Sequence, residues 1–111
     1  MGGLLRYLLG PGRANEHTNP HLVAGWDDIA DLEPPTLAGG RRDFRRLTGL
    51  LEQPVAALPK VPSKPVWHCS LRVAPGDRRL SDAEWESIAR DVLHGTGFAH
   101  HGDGEACRWV A

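Results

Sequence analysis

The first residue that could do chemistry is Tyr7, the only tyrosine in the chain, within the segment LLRYLLGPGRANEH at residues 4–17. A phenol on a short helix can act as a nucleophile towards an anionic group. A tyrosine among four leucines can equally pack its ring into the core and leave its hydroxyl at the surface, because aromatic side chains mostly fill cores. The residues alone leave both roles open, and composition favours the core.

A cluster of arginines is the second candidate site. The segment RRDFRRLTGLLEQ, residues 41–53, has helical periodicity. On that helix Arg41 and Arg45, and Arg42 and Arg46, would lie at i and i+4 on the exposed side. Guanidinium groups match phosphate oxygens bidentately, so the cluster could clamp phosphates. The alternative is a solvated helix face, which is the more common role of such residues.

Histidines and cysteines offer a third candidate, a structural zinc site. The chain contains no Cys-x-x-Cys pair, and two of its histidines are adjacent instead of sharing one helix face. The spacing therefore matches no familiar zinc module, and zinc stays a minor alternative. The possible ligands are His68, Cys69, His100, His101 and Cys107.

Composition limits the class of protein. The 111 residues make one small domain or part of a larger one, and 41% of them are apolar, enough for a modest core. The net charge of -1 excludes a uniformly basic surface, so any nucleic-acid contact must come from a local patch. No apolar run reaches membrane-spanning length, and we expect no membrane partner. Two cysteines are too few for a disulfide framework, which predicts reduced thiols and a cytoplasmic protein.

The elements that must position these residues can be predicted from periodicity and breakers. We expect a short helix over 3–9, ended by Gly-Pro-Gly, and the start of a second over 21–26. A breaker-rich connection at 33–40 precedes the basic helix 41–53. Residues 54–65 contain four prolines, which predicts a semi-rigid linker without regular structure.

The C-terminal half predicts a strand, a helix and a second strand. Residues 66–73 alternate as a strand, with Trp67, Cys69 and Leu71 on one face and His68, Ser70 and Arg72 on the other. Ser81-Asp-Ala-Glu84 is a capping box that opens an amphipathic helix over 81–93, and Gly95 or Gly97 ends it. ACRWVA, residues 106–111, reads as the second strand. We therefore expect an α+β fold, a small antiparallel sheet with helices packed on one face.

Three segments together resemble relaxases, the mobilisation nucleases that nick plasmid and conjugative-element DNA, in their actinobacterial form. LLRYLLGPGRANEHTNPHLVAGWD is similar to the family's tyrosine helix and the loop after it. VWHCSLRVAPGDRRLSDAEWESIARDVLHGTGF resembles its histidine-bearing strand, turn and L-S-x-x-E-W helix. CRWVA resembles the strand that leads to the metal-binding histidines. The segments cover most of the chain, with 33–65 covered least.

The resemblance implies a chemistry and partners. In the family a tyrosine attacks a phosphodiester of single-stranded DNA at a transfer origin, a 5′-phosphotyrosyl link forms and a 3′-hydroxyl leaves. Tyr7 would be that nucleophile, and Arg13 and the arginines at 41–46 would contact phosphates. A divalent metal such as Mg²⁺ or Mn²⁺ and other relaxosome proteins are implied as well.

Two departures from the family pattern limit this expectation. The metal motif H-x-D-x-x-H-x-H does not occur in the sequence, so no metal ligand or cofactor is assigned to the chain. The first strand of the family is also missing. We therefore expect an incomplete relaxase-like domain, made of a tyrosine helix and polar loop (1–32), a connection with the basic helix (33–65) and a strand–helix–strand unit (66–111). A non-catalytic single-stranded DNA-binding or accessory remnant and a small zinc-binding domain are the alternatives.

Overall fold

The computed structural model describes residues 2–10, 19–98 and 107–111, and in these residues the chain is helical. The described part contains two isolated antiparallel β-bridges, Gly25–Val110 and Thr36–Arg42, and no strand. The predicted antiparallel sheet, and with it the α+β class, is therefore wrong. The helices are α1 (Gly2–Leu9), α2 (Ile29–Leu32), a 3-10 helix (Ala38–Gly40), α3 (Arg45–Ala56) and α4 (Asp82–Thr96).

The strand prediction fails because alternation alone does not make a strand. Residues 66–73 form neither helix nor strand, and the large side chains of Trp67 and Leu71 are each 52% exposed. A strand needs a neighbour that takes up its N–H and C=O groups, and no other strand is present in the described ranges. Of the predicted strand 106–111, residue 106 lies outside the described residues, and Val110 contributes one bridge.

The chain divides into two compact units, each made of two stretches. Unit 1 comprises Met1–His21 and Ala30–Trp67. In this unit α1 contacts α3, and the fully buried residues of these two helices are Leu5, Leu9 and Leu47. Leu5 and Leu9 are one helical turn apart and so share one face. This pair of helices confirms the predicted helix near the N-terminus.

Helix α3 begins four residues later than the periodicity predicted. Gly39 and Gly40 have φ of 83° and 80°, a backbone region that favours glycine, and they turn the chain before the helix. The carboxylate of Asp43 then accepts a 3.1 Å hydrogen bond from the backbone N–H of Arg45 and satisfies a group at the helix start. The helix also continues through the predicted breaker Pro54 and ends two residues later, at Ala56.

Unit 2 comprises Leu22–Ile29 and His68–Ala111, and α4 is its main element. The predicted capping box is confirmed: the Ser81 hydroxyl accepts from the Glu84 N–H, and the Glu84 carboxylate accepts from the Ser81 N–H. Gly97, with φ of 79°, ends the helix in the left-handed conformation. None of the residues of α4 is fully buried. Cys69 and Leu71, which the strand prediction placed on one face, are exposed.

The first stretch of unit 2, Leu22–Ile29, pairs with residues 107–111 at the end of the second stretch. The N–H of Val23 donates to the Ala111 carbonyl at 2.8 Å, and the Ala111 N–H donates to the Ala24 carbonyl at 2.9 Å. The Trp26 N–H donates to the Trp109 carbonyl at 3.0 Å. These backbone groups are used between segments, so the helix predicted over 21–26 does not form.

Candidate nucleic-acid interface

The side chain of Tyr7 lies on the outer side of α1 and is 44% exposed. Tyr7 is two residues from both Leu5 and Leu9, which on a helix places it about 200° around the axis from each of those buried leucines. Its ring is therefore not the core residue that composition favoured. Gly10 ends the helix just beyond it, and a Cβ at this position would clash with the Arg6 carbonyl oxygen.

Unit 1 has an open groove of about 520 Å³, and Tyr7 is not among the residues that line it. Arg6, Arg42 and Arg45 line it, but so do Asp43 and Glu52. Arg42 and Arg45 are both paired with carboxylates, so the groove does not present the uniformly positive surface that holds a nucleic-acid backbone.

The four arginines at 41–46 do not form one exposed helix face. Arg41 and Arg42 precede α3, whereas Arg45 and Arg46 lie in its first turn. The predicted i, i+4 pairs are therefore wrong, since two of the four members are outside the helix. The reason is the turn at residues 38–40 together with the Asp43 cap, which start the helix after the first two arginines.

Arg42 is a structural residue of unit 1. Its guanidinium forms an ion pair with the Glu33 carboxylate, and the two side chains are 19% and 30% exposed. A second nitrogen, Nη2, donates to the Pro20 carbonyl at 2.8 Å. One side chain thereby connects residues 20, 33 and 42, and the N–H groups that make these contacts already have acceptors within the unit.

Asp43 engages Arg45, the most exposed of the paired arginines. Arg45 Nε and Nη2 donate to the two carboxylate oxygens of Asp43 at 2.9 and 2.7 Å. These hydrogen bonds lower the pKa of Asp43 to about 2 and raise the pKa of Arg45. Arg46 donates to the Asp31 carbonyl oxygen. Both guanidinium groups therefore already have acceptors within the unit.

Arg41 differs from its three neighbours. Its side chain is exposed and forms no hydrogen bond or ion pair within residues 2–10, 19–98 and 107–111. Arg6 on α1 is exposed as well. Of the predicted phosphate contacts, Arg41 is the one that the fold leaves available, whereas Arg13 lies outside the described residues.

Unit 2 contains two arginine–tryptophan pairs that periodicity did not indicate. The Arg90 guanidinium lies 5.3 Å from the ring centroid of Trp109, and the Arg108 guanidinium lies 5.5 Å from that of Trp26. Such cation–π contacts contribute roughly 0.5–1 kcal/mol at partly exposed sites. Both pairs require residues 107–111 to contact residues distant in the sequence, Arg90 and Trp26. No local sequence signal predicts such a contact.

The zinc alternative finds no support in the described residues. In the described residues, no group of three histidine, cysteine or acidic side chains could hold a metal ion. Cys69 and Cys107 are both exposed thiols. His100 and His101 lie outside the described residues.

Comparison of the chain with protein-family models, with curated proteins and with solved structures finds no match. The similarity to relaxases therefore stays a prediction that depends on the three segments quoted above. None of the helices in the described residues is long and apolar enough to cross a membrane.

Proposed function

We propose that this chain is a relaxase-like region that binds single-stranded DNA and carries Tyr7 as the nucleophile towards a phosphodiester. The observation that supports this proposal is the position of Tyr7 on α1. Tyr7 is 44% exposed and lies on the side of the helix away from Leu5 and Leu9, where another molecule can approach the side chain. A tyrosine buried among the leucines could not attack a DNA strand.

The covalent step needs more than an accessible phenol. A phenol has an ordinary pKa near 10 and is a weak nucleophile at neutral pH, so the family uses a divalent metal to polarise the phosphate. The described residues do not fit such a metal, because they contain no suitable group of three ligands. We therefore derive no metal-assisted step, and we expect the chain alone to bind DNA without nicking it.

An activated substrate isolates the role of Tyr7 from that of a metal. A single-stranded oligonucleotide ending in a p-nitrophenyl phosphodiester has a leaving group that departs without metal assistance. Attack by the Tyr7 oxygen would form the tyrosyl–phosphorus bond and break the bond to p-nitrophenolate, and the phenolic proton would pass to the buffer. We expect p-nitrophenolate release with a protein–DNA adduct that mass spectrometry maps to residue 7.

Tyr7→Phe is a clean control, because it removes the only phenol in the chain. It should abolish the adduct and leave DNA affinity unchanged. An adduct on another residue, or equal p-nitrophenolate release by wild type and variant, would show that Tyr7 is not the nucleophile. A covalent band with ordinary DNA and Mn²⁺ would instead show that the chain is catalytically competent.

The binding half of the proposal can be tested through Arg41. Each phosphate contact to single-stranded DNA contributes about 0.7 to the slope of log affinity against log salt concentration. Arg41→Ala should therefore weaken binding and lower that slope by about 0.7, as measured by fluorescence anisotropy. Arg45→Ala is the matched control, because Asp43 already occupies its guanidinium, and it should change the slope much less. Equal effects of the two substitutions would contradict this assignment.

A further inference from the structure

A proline-containing segment between α3 and α4 is not used by the proposed function. Residues 58–67, LPKVPSKPVW, belong to unit 1 and form no helix or strand. Every residue of this segment is exposed, including the apolar side chains of Leu58 at 46% and Val61 at 56%. Apolar side chains that the fold leaves in water in this way are available for contact with another molecule.

The order of residues in the proline segment has a period of three. Two apolar–proline pairs, Leu58-Pro59 and Val61-Pro62, are three residues apart, and Lys64 follows the second pair by two residues. A polyproline II helix has three residues per turn and rises about 3.1 Å per residue. In that conformation both pairs lie on one side, roughly 9 Å apart, and Lys64 lies in line with Leu58 and Val61.

The two lysines of the segment differ in position but not in surroundings. Neither Lys60 nor Lys64 makes a hydrogen bond or ion pair with any part of the chain that the structure describes. With three residues per turn, Lys64 shares the side of the two apolar–proline pairs, whereas Lys60 and Ser63 lie on the side turned away. The segment therefore presents two apolar wedges followed by one positive charge on a single side.

This pattern matches the surface that aromatic-lined grooves recognise. Such grooves bind proline-rich peptides as polyproline II helices, in which apolar–proline pairs fill pockets between aromatic rings. The prolines restrict the unbound chain in advance and reduce the entropy lost on binding. In the unbound chain, bends occur at residues 58–60 and at Ser63, so binding would straighten the segment. A plain spacer would need neither the paired apolar residues nor the lysine in line with them.

We propose that the proline segment is a docking site for a partner protein with an aromatic-lined groove of the SH3 type. Leu58-Pro59 and Val61-Pro62 fill two adjacent pockets, and Lys64 forms an ion pair with a carboxylate at the end of the groove. This docking site does not include Tyr7 or Arg41. Its test is therefore independent of whether the chain binds DNA.

The test uses the full chain and a purified SH3 domain that selects peptides with the order apolar–proline–x–apolar–proline–x–basic. In isothermal titration calorimetry the SH3 domain is titrated into the chain up to about 1 mM. A dissociation constant of that size corresponds to a binding free energy of about −4 kcal/mol. We expect saturable one-to-one binding. Pro62→Ala should weaken it at least about tenfold, which is about 1.4 kcal/mol. Pro65→Ala, outside the two pairs, should change affinity less than about threefold.

The two lysines supply a matched pair of charge variants. Lys64→Glu should weaken binding at least about tenfold, whereas Lys60→Glu should have a small effect, although both change the net charge equally. All these positions are exposed and outside the helices, so circular dichroism should show an unchanged fold. No measurable binding by the wild-type chain, or equal losses for the two lysine variants, would overturn the proposal. Equal losses would leave only non-specific charge attraction.

Discussion

Replacing Arg42 by alanine is the most informative perturbation of unit 1, because the sequence predicted a DNA contact and the structure shows an internal one. The substitution removes the ion pair with Glu33 and the 2.8 Å hydrogen bond to the Pro20 carbonyl. It also leaves the Glu33 carboxylate, only 30% exposed, without this cation. Arg41→Ala deletes the same side chain one residue earlier, where the structure shows no such bonds.

The expected loss follows from these contacts. A hydrogen bond to a charged group contributes about 1.5–3 kcal/mol when it is shielded from water, and solvent screening reduces this at partly exposed sites. With side chains 19% and 30% exposed, we expect the free energy of unfolding to fall by about 2 kcal/mol in Arg42→Ala. For a domain of this size that loss lowers Tm by roughly 10 °C. Arg41→Ala should stay within about 0.5 kcal/mol of wild type.

Urea unfolding followed by circular dichroism at 222 nm measures both variants. Adding Glu33→Ala to each completes a double-mutant cycle, which should give a coupling energy of about 1 kcal/mol or more for Arg42 and none for Arg41. A loss below about 0.5 kcal/mol in Arg42→Ala, or equal losses in the two arginine variants, would refute the structural role of Arg42. Single-stranded DNA binding should respond in the opposite order, falling with Arg41→Ala.

Two further predictions concern the start of α4. Ser81→Ala should lower the free energy of unfolding by about 1 kcal/mol in the same urea assay, because it removes the helix cap, and Ser81→Thr should retain most of it. Hydrogen bonds from Arg78 and from the Ser81 N–H lower the pKa of Glu84 to about 2, so this interaction contributes stability above the ordinary pKa of 4.5 and loses it as pH falls towards 2. Arg78→Ala should raise the Glu84 pKa towards its ordinary value, as read from carboxyl chemical shifts by NMR; an unchanged value would mean that Arg78 is not the cause.

The helices with local signals were predictable, and the tertiary pairing was not. The sequence predicts α4 from two local signals, the capping box of Ser81 and Glu84 at its start and Gly97 at its end. The start of α3 was missed because the apolar periodicity extends upstream of the helix to residues 41–44, which follow the turn at residues 38–40, whereas the first helical residue is Arg45. Residues 66–73 alternate like a strand, but alternation describes a side-chain pattern and cannot supply the neighbouring strand.

The candidate site shows the same limit. The arginine cluster was found from its composition, but which arginine stays available depends on acceptors that come from elsewhere in the chain: the Glu33 carboxylate and the carbonyls of Pro20 and Asp31. Tyr7 shows this limit too. Helix geometry fixes its angle from each leucine of α1, but which leucines are buried depends on the contact of α1 with α3.

The pairing of residues 22–26 with residues 107–111 affects when unit 2 can form. Bringing Gly25 next to Val110 closes a loop that spans most of the chain, and loop-closure entropy for such a length is roughly 4 kcal/mol. During synthesis Val23 and Ala24 have left the ribosome long before their partner Ala111 is made. Until then their backbone N–H and C=O groups remain hydrogen-bonded to water, whereas α1 and α3 can already associate. Unit 2 is therefore expected to be completed only after translation of the last described residues, which makes it the slower of the two units to fold.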